Sequence, residues 1–177
     1  MNKGIRKLTF CGLIAALCSV IMLLSYVPYL TYSAPAVAAV FIMVCFIETG
    51  NKYTLYAYIV SAVIILLFAE PISKVLYAVF FGNYPLLKCL YEKPKTPFVR
   101  WVLKISNFNL SVIIIYLILK VLTGLSFNDF ADIGRYGAYV FLLLCNGAFV
   151  VFDIALSRLA FFYLNRFHDR IAGNFKL

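Results

Sequence analysis

The chain has 177 residues, of which 64% are hydrophobic and only 13% are charged. Soluble domains are about 45–50% apolar and about 25% charged, so this composition excludes an ordinary soluble globular domain. A net charge of +9 with a mean hydropathy of +0.96 indicates cations at the cytoplasmic ends of membrane helices, not nucleic-acid binding. The sequence therefore predicts an all-α, polytopic integral membrane protein in contact with membrane lipid.

Six apolar segments follow one another along the chain, and all but the short second one are near or above the ~20 residues that cross ~30 Å of hydrocarbon. They cover approximately Leu8–Tyr29, Ala34–Ile47, Tyr53–Ala69, Pro71–Tyr91, Phe98–Leu122 and Tyr136–Tyr163. We interpret them as six transmembrane helices of a single domain, residues 1–177.

The first segment follows a basic start, MNKGIRK, as a signal peptide would. Its apolar stretch exceeds the ~7–15 residues of a signal-peptide core, so an uncleaved helix is preferred over a cleaved leader. The stretch GLIAALCS contains two pairs of small residues four positions apart, Gly12–Ala16 and Ala15–Ser19. Such pairs let another helix approach closely, either within the protein or in a partner.

The fourth segment ends in FFGNYPLLKCLYEKPK, where an apolar run becomes a charged loop. Pro85 has no N–H to donate to the carbonyl of Phe81, which predicts a kink in this helix. Lys88 lies on the inner half of the same segment.

The lysines and arginines are distributed unevenly among the loops. If the N-terminus is cytoplasmic, only Lys74, Lys120 and Arg135 of the 16 cations fall on the outer side. Because cations accumulate in cytoplasmic loops, this distribution predicts that both termini are inside, an N-in/C-in topology.

Three amides lie near the bilayer midplane when depth is counted at about 1.5 Å per residue. They are Asn83, Asn109 and Asn146. A polar side chain without a partner costs several kcal/mol at that depth, on the order of magnitude, so each amide is a functional candidate. They either hold helices together or contact a substrate.

Lys88 and Asp153 both fall in the inner half of the membrane by the same count. A structural ion pair between them is one interpretation. The alternative is that Lys88 extends to the interface while Asp153 pairs with Ser157 or Arg158.

Aromatic residues mark the outer side of the first turn, among them Tyr29 and Tyr32. They form either an aromatic belt at the interface or the wall of an outward-facing pocket. In the second case the 126–135 loop, which carries Arg135, would act as a lid.

Residues suited to catalysis or metal binding are scarce. The five cysteines include no CxxC pair, and the single histidine is His168. No sequence motif of a hydrolase, a zinc protease or a nucleotide-binding loop occurs. We therefore predict no catalytic residues, no metal, no cofactor and no enzymatic activity.

The whole pattern resembles the S components of energy-coupling factor (ECF) transporters, which are small bacterial membrane proteins with six helices and both termini inside. The resemblance is carried by RKLTFCGLIAALCSV, YLTYSAPAVAAVF and ETGNKYTLYAY, and by the size and helix count. It implies a multi-pass protein of the bacterial cell membrane that captures a vitamin or other small-molecule micronutrient. It also implies a transmembrane coupling protein and two ATP-binding subunits as partners.

The resemblance further implies a ligand zone in the outer half of the protein. The residues expected to bind the substrate there are Tyr29, Tyr32, Asn83, Asn109, Tyr116, Arg135 and Asn146. The surface expected to receive the coupling protein consists of Gly12, Ala15, Ala16 and Ser19. The alternative function is a non-transport membrane scaffold or accessory subunit, which would use the same small residues and need no pocket.

Overall fold

The computed structural model describes residues 3–123 and 137–168. Every regular element in those two ranges is helical, which confirms the all-α class for this part of the chain. The α-helices are α1 (Lys3–Leu23), α2 (Ser33–Thr49), α3 (Asn51–Phe68), α4 (Pro71–Leu76), α5 (Tyr84–Tyr91), α6 (Pro97–Thr123) and α7 (Gly137–Tyr163).

Four helical stretches are long and apolar enough to cross a membrane, as expected of a membrane protein. They are Gly4–Tyr26, Asn51–Phe68, Pro97–Leu122 and Tyr139–Arg166. The helix α2 is also apolar but has only 17 residues, equivalent to about 25 Å.

The predicted fourth segment consists of α4 and α5 joined by a wider helical turn of the π type, Tyr77–Phe81. The carbonyl of Ala78, inside that turn, accepts a hydrogen bond of 2.5 Å from Tyr58 Oη. A break at Gly82 and Asn83 separates this turn from α5 and lies directly before Pro85, where the sequence predicts a kink. Pro85 itself occupies the first turn of α5, where a missing N–H costs little.

Gly82 directly follows the π turn and has no room for a side chain. A Cβ at this position would lie 2.8 Å from the Tyr58 ring and 2.9 Å from the Tyr77 ring. The Tyr77 hydroxyl lies 2.7 Å from Ser61 Oγ, and Tyr58 is bonded to Ala78, so neither ring is free to move aside.

Replacing Gly82 by alanine is therefore expected to lower the free energy of unfolding by about 1–3 kcal/mol through overpacking. Gly147→Ala is the matched control, because a Cβ at Gly147 meets no atom within 4 Å. The control should change stability by less than about 1 kcal/mol, since alanine is the better helix former. Thermal unfolding of both variants in detergent measures the difference, and equal melting temperatures would contradict the packing argument.

The tightest packing lies between α1, α2 and α3. Small side chains of α2, such as Ala38 and Ala39, are fully buried and let the neighbouring helices approach closely. A second core of aromatic residues joins the π turn and α5 to α6 and α7. Most of the surface of α6 and α7 stays exposed and apolar, as is appropriate for helices that face lipid.

Candidate functional site

The Asp153 carboxylate on α7 is buried and accepts hydrogen bonds from three side chains on two other helices. Its Oδ1 atom accepts hydrogen bonds from Lys88 Nζ at 2.5 Å and from Tyr84 Oη at 2.6 Å. Its Oδ2 atom accepts from Lys104 Nζ at 2.9 Å. Three helices therefore meet at one carboxylate, and we call Tyr84, Lys88, Lys104 and Asp153 the buried charge cluster.

Helical periodicity explains how the cluster is assembled. Tyr84 and Lys88 are four residues apart on α5 and share one face, as do Asp153 and Ser157 on α7. Ser157 Oγ donates to the carbonyl of Asp153 at 2.8 Å and accepts from Lys88 Nζ at 2.5 Å. The Lys88–Asp153 pair considered from the sequence is therefore present, and Lys88 also contacts Ser157, which the sequence analysis considered only as a partner of Asp153.

Because the cluster is buried, leaving any of its charges unpaired would cost several kcal/mol, on the order of magnitude. The relative exposure is 2% for Lys88, 6% for Lys104 and 3% for Asp153. Two buried ammonium groups share one buried carboxylate, and the second negative charge is supplied by Glu92, whose Oε1 lies 3.1 Å from Lys104 Nζ. The four charges sum to zero only when Glu92 is included, and 47% of the Glu92 side chain is exposed.

The chemistry of the arrangement is that of a structural tie. All three donors bind the Asp153 oxygens, so partners on two other helices hold the carboxylate in place. No buried side-chain nitrogen or oxygen in the described ranges lacks a hydrogen-bond partner. The cluster therefore fixes the positions of α5, α6 and α7 at one end of the bundle.

Sequence reasoning did not place Tyr84 and Lys104 in this cluster. Lys104 was counted among the cytoplasmic cations, although it lies about two turns into α6, roughly 10 Å from the start of that helix. That depth was the available signal, since a lysine so far from a helix end needs a partner.

A group of aromatic rings packs against the buried charge cluster through the ring of Tyr84. Phe80 is the centre of this group, with ring centroids at 5.1 Å from Tyr84 and 5.3 Å from Phe108. Phe108 and Phe149 stack with centroids 4.7 Å apart and planes 9° from parallel. These rings form the aromatic core next to the buried charge cluster.

The structure brings two of the three predicted amides together. Asn109 Nδ2 donates to Asn146 Oδ1 at 3.2 Å, and Asn146 Nδ2 donates to Asn109 Oδ1 at 3.1 Å. Each Nδ2 also donates to the carbonyl one turn earlier in its own helix. Asn83 is half-buried between the π turn and α5, and its carbonyl accepts from the N–H groups of Leu86 and Leu87.

The other predicted ligand residues are dispersed. Tyr29 has a positive φ of 74° and is 96% exposed, and Tyr32 is 66% exposed. Tyr116 is half-buried on α6, and Arg135 lies outside the described residues. An open groove of about 430 Å³ runs along α6, with Asn109 in its lining and neither loop tyrosine.

The four predicted partner-contact residues divide between two faces of α1. Ala15 is buried at 2% exposure, and its carbonyl accepts a hydrogen bond of 2.9 Å from Ser19 Oγ. Gly12 and Ala16 lie on the exposed face, and a Cβ built at Gly12 meets no atom within 4 Å. Ala15 therefore contributes to packing inside the protein, whereas a Cβ at position 12 would clash with no atom of the described chain.

The site thus consists of a saturated charge cluster at one end, an amide pair between α6 and α7, and an exposed small-residue face on α1. Comparison of the chain with protein families, with curated proteins and with solved structures finds no match.

Proposed function

We propose that the chain is the substrate-capturing membrane subunit of an importer of the energy-coupling factor type in a bacterial cell membrane. In this proposal it binds a vitamin or another micronutrient on the outer side. It docks on a transmembrane coupling protein that is served by two ATP-binding subunits. The observation that carries the proposal is the exposed Gly12–Ala16 face of α1, which the described packing leaves open to another helix.

The proposal includes six membrane passes with both termini inside. Four passes come from the long apolar helices, and α2 supplies a fifth of about 25 Å. The sixth is formed by α4, the π turn and α5, which together extend for about 30 Å. The orientation follows from the concentration of lysine and arginine at the end of the bundle where α1, α3 and α6 begin.

The proposed docking surface is the strip around Gly12 and Ala16. Without a hydrophobic driving force in lipid, helices associate through close backbone approach, and small residues four apart provide it. Exposed leucines flank the strip at Leu13 and Leu17, so a partner helix would contact apolar side chains on either side.

The proposed ligand zone lies at the opposite end from the buried charge cluster. Tyr29 and Tyr32 are exposed there and have their aromatic faces available to a guest molecule. Tyr116 on α6 is included in the proposed zone, and Arg135 is included on its sequence alone because it lies outside the described residues.

The test is co-purification of the chain with the coupling protein and ATPases of its own organism. Gly12→Leu should reduce recovery of the coupling protein at least about tenfold, because the bulkier side chain prevents close helix approach. Gly147→Leu is the matched control, since it adds the same volume at another glycine with open space. Mass spectrometry of small molecules released from the purified wild-type chain reports the ligand separately.

The alternative function is a membrane scaffold or accessory subunit without a ligand. It is favoured by the reciprocal Asn109–Asn146 bonds, because each amide already has its partner in the other. A partner helix lost in Gly12→Leu, together with no retained small molecule and no recovered ATPase, would support the scaffold and overturn the importer.

A further inference from the structure

One end of the bundle carries exposed cations on several elements. This basic end is where α1, α3 and α6 begin and where α2, α5 and α7 finish. The exposed or half-buried cations there include Lys52, Lys93, Lys95, Arg100, Arg158 and Arg166.

The acidic residues described at the basic end are occupied by internal partners. Asp153 accepts from the buried lysines, and Glu92 pairs with Lys104. Glu48 is 7% exposed and accepts a hydrogen bond of 2.6 Å from Tyr163 Oη. Within the described ranges, Lys93, Lys95 and Arg100 form no ion pair with any of these carboxylates.

Two of these cations, Lys93 and Lys95, lie in the loop between α5 and α6, and Arg100 lies in the first turn of α6. Arg100 Nε donates to the carbonyl of Pro94 at 2.6 Å, and Arg100 N donates to the carbonyl of Thr96. The first bond places the guanidinium beside the residue that separates Lys93 from Lys95. The Nη atoms of Arg100 carry further N–H donors that can bind an anion.

Aromatic side chains lie next to these cations, on the first turn and a half of α6. Phe98 is 76% exposed and Trp101 is 38% exposed. The Nζ atom of Lys104 lies 5.5 Å from the centroid of the Trp101 ring, so the indole marks the boundary between the charge cluster and the surface. Exposed aromatic rings at the end of a membrane helix belong at the level of lipid headgroups.

We propose that Lys93, Lys95 and Arg100, with Phe98 and Trp101, form a binding site for the headgroup of an anionic phospholipid. The phosphate lies between the cations, and the rings pack against the glycerol and the first methylene groups of the acyl chains. A lipid fits better than a soluble acidic partner because the most exposed ring, Phe98, is apolar and would otherwise face water. The proposal needs only the membrane placement of the helices and is independent of any import activity.

The test uses the purified full chain in neutral detergent, titrated with phosphatidylglycerol or phosphatidylcholine of identical acyl chains. Native mass spectrometry gives the dissociation constant of the first bound lipid. Phosphatidylglycerol should bind at least about tenfold more tightly than phosphatidylcholine, because each surface cation contributes about a fivefold factor. The triple variant K93Q/K95Q/R100Q should lose most of that preference, and raised salt should weaken it.

The control variant K74Q/K120Q removes cations from the opposite end and should keep the preference for phosphatidylglycerol. Unchanged melting temperatures of both variants show that folding is intact. Equal binding of the two lipids by the unmodified chain would overturn the proposal. Retention of the preference by the triple variant, or displacement of the lipid by an equal concentration of glycerol phosphate, would overturn it as well.

Discussion

Replacement of Asp153 by asparagine is expected to lower the free energy of unfolding by about 3–5 kcal/mol. The variant keeps the volume of the side chain but removes the charge that balances Lys88 and Lys104, both of which are almost fully buried. An unbalanced buried ammonium group is among the most costly defects in a protein interior. Thermal or denaturant unfolding in detergent measures the loss.

A double-mutant cycle shows whether the cost comes from the pair of charges. Lys88→Met alone should also destabilise the protein, because Asp153 Oδ1 loses its shortest hydrogen bond, the one from Lys88 Nζ. The double variant should lose less than the sum of the single variants, with a coupling of about 1–3 kcal/mol. Arg158→Met serves as the control, because Arg158 is exposed and lies a little more than one turn after Asp153 on the same helix. It should change stability by less than about 0.5 kcal/mol. Strictly additive losses would contradict the ion pair.

Truncation of Phe80 to alanine is expected to lower the free energy of unfolding by about 3–5 kcal/mol. The ring is 4% exposed and lies within 6.2 Å, centroid to centroid, of the rings of Phe81, Tyr84, Phe108, Phe149 and Phe152. Removing it leaves a cavity that lipid chains do not reach, so the lost dispersion contacts are not replaced.

Phe161→Ala is the matched control for the aromatic core. Phe161 has the same side chain but is 66% exposed on α7, where lipid contacts replace those that the protein loses. Its melting temperature should stay near that of the wild type, and Phe80→Leu should fall between the two alanine variants. Equal melting temperatures for Phe80→Ala and Phe161→Ala would show that the aromatic core contributes no specific packing.

Much of the helical architecture follows from the sequence, because long apolar segments and their Pro and Gly boundaries are strong signals. The predicted first, third, fifth and sixth segments coincide within a few residues with the four long apolar helices. The contact between Lys88 and Asp153 was one of two interpretations of the sequence, since residue counts along the two helices put both side chains at a similar height.

Rotation of the helices was harder to predict than depth. Lys104 joins Asp153 because of the direction in which α6 faces, and an apolar helix surrounded by lipid has too little amphipathic pattern to reveal that direction. Asn109 and Asn146 were identified separately as ligand or packing candidates, but their reciprocal bonding depends on the same rotation. The π turn at Tyr77–Phe81 depends on tertiary contacts of Gly82 with Tyr58, for which local sequence gives no signal.

The division of the buried charges among separate helices has a consequence for biogenesis. Lys88 on α5 and Lys104 on α6 are synthesised before Asp153 on α7, the carboxylate that both contact, whereas Glu92, which also pairs with Lys104, is already present. A nascent chain that stops before residue 153 therefore holds Lys88 without the carboxylate with which it pairs. We expect such truncated chains to be held at the insertase or degraded, so that lateral release into lipid waits for the last helix.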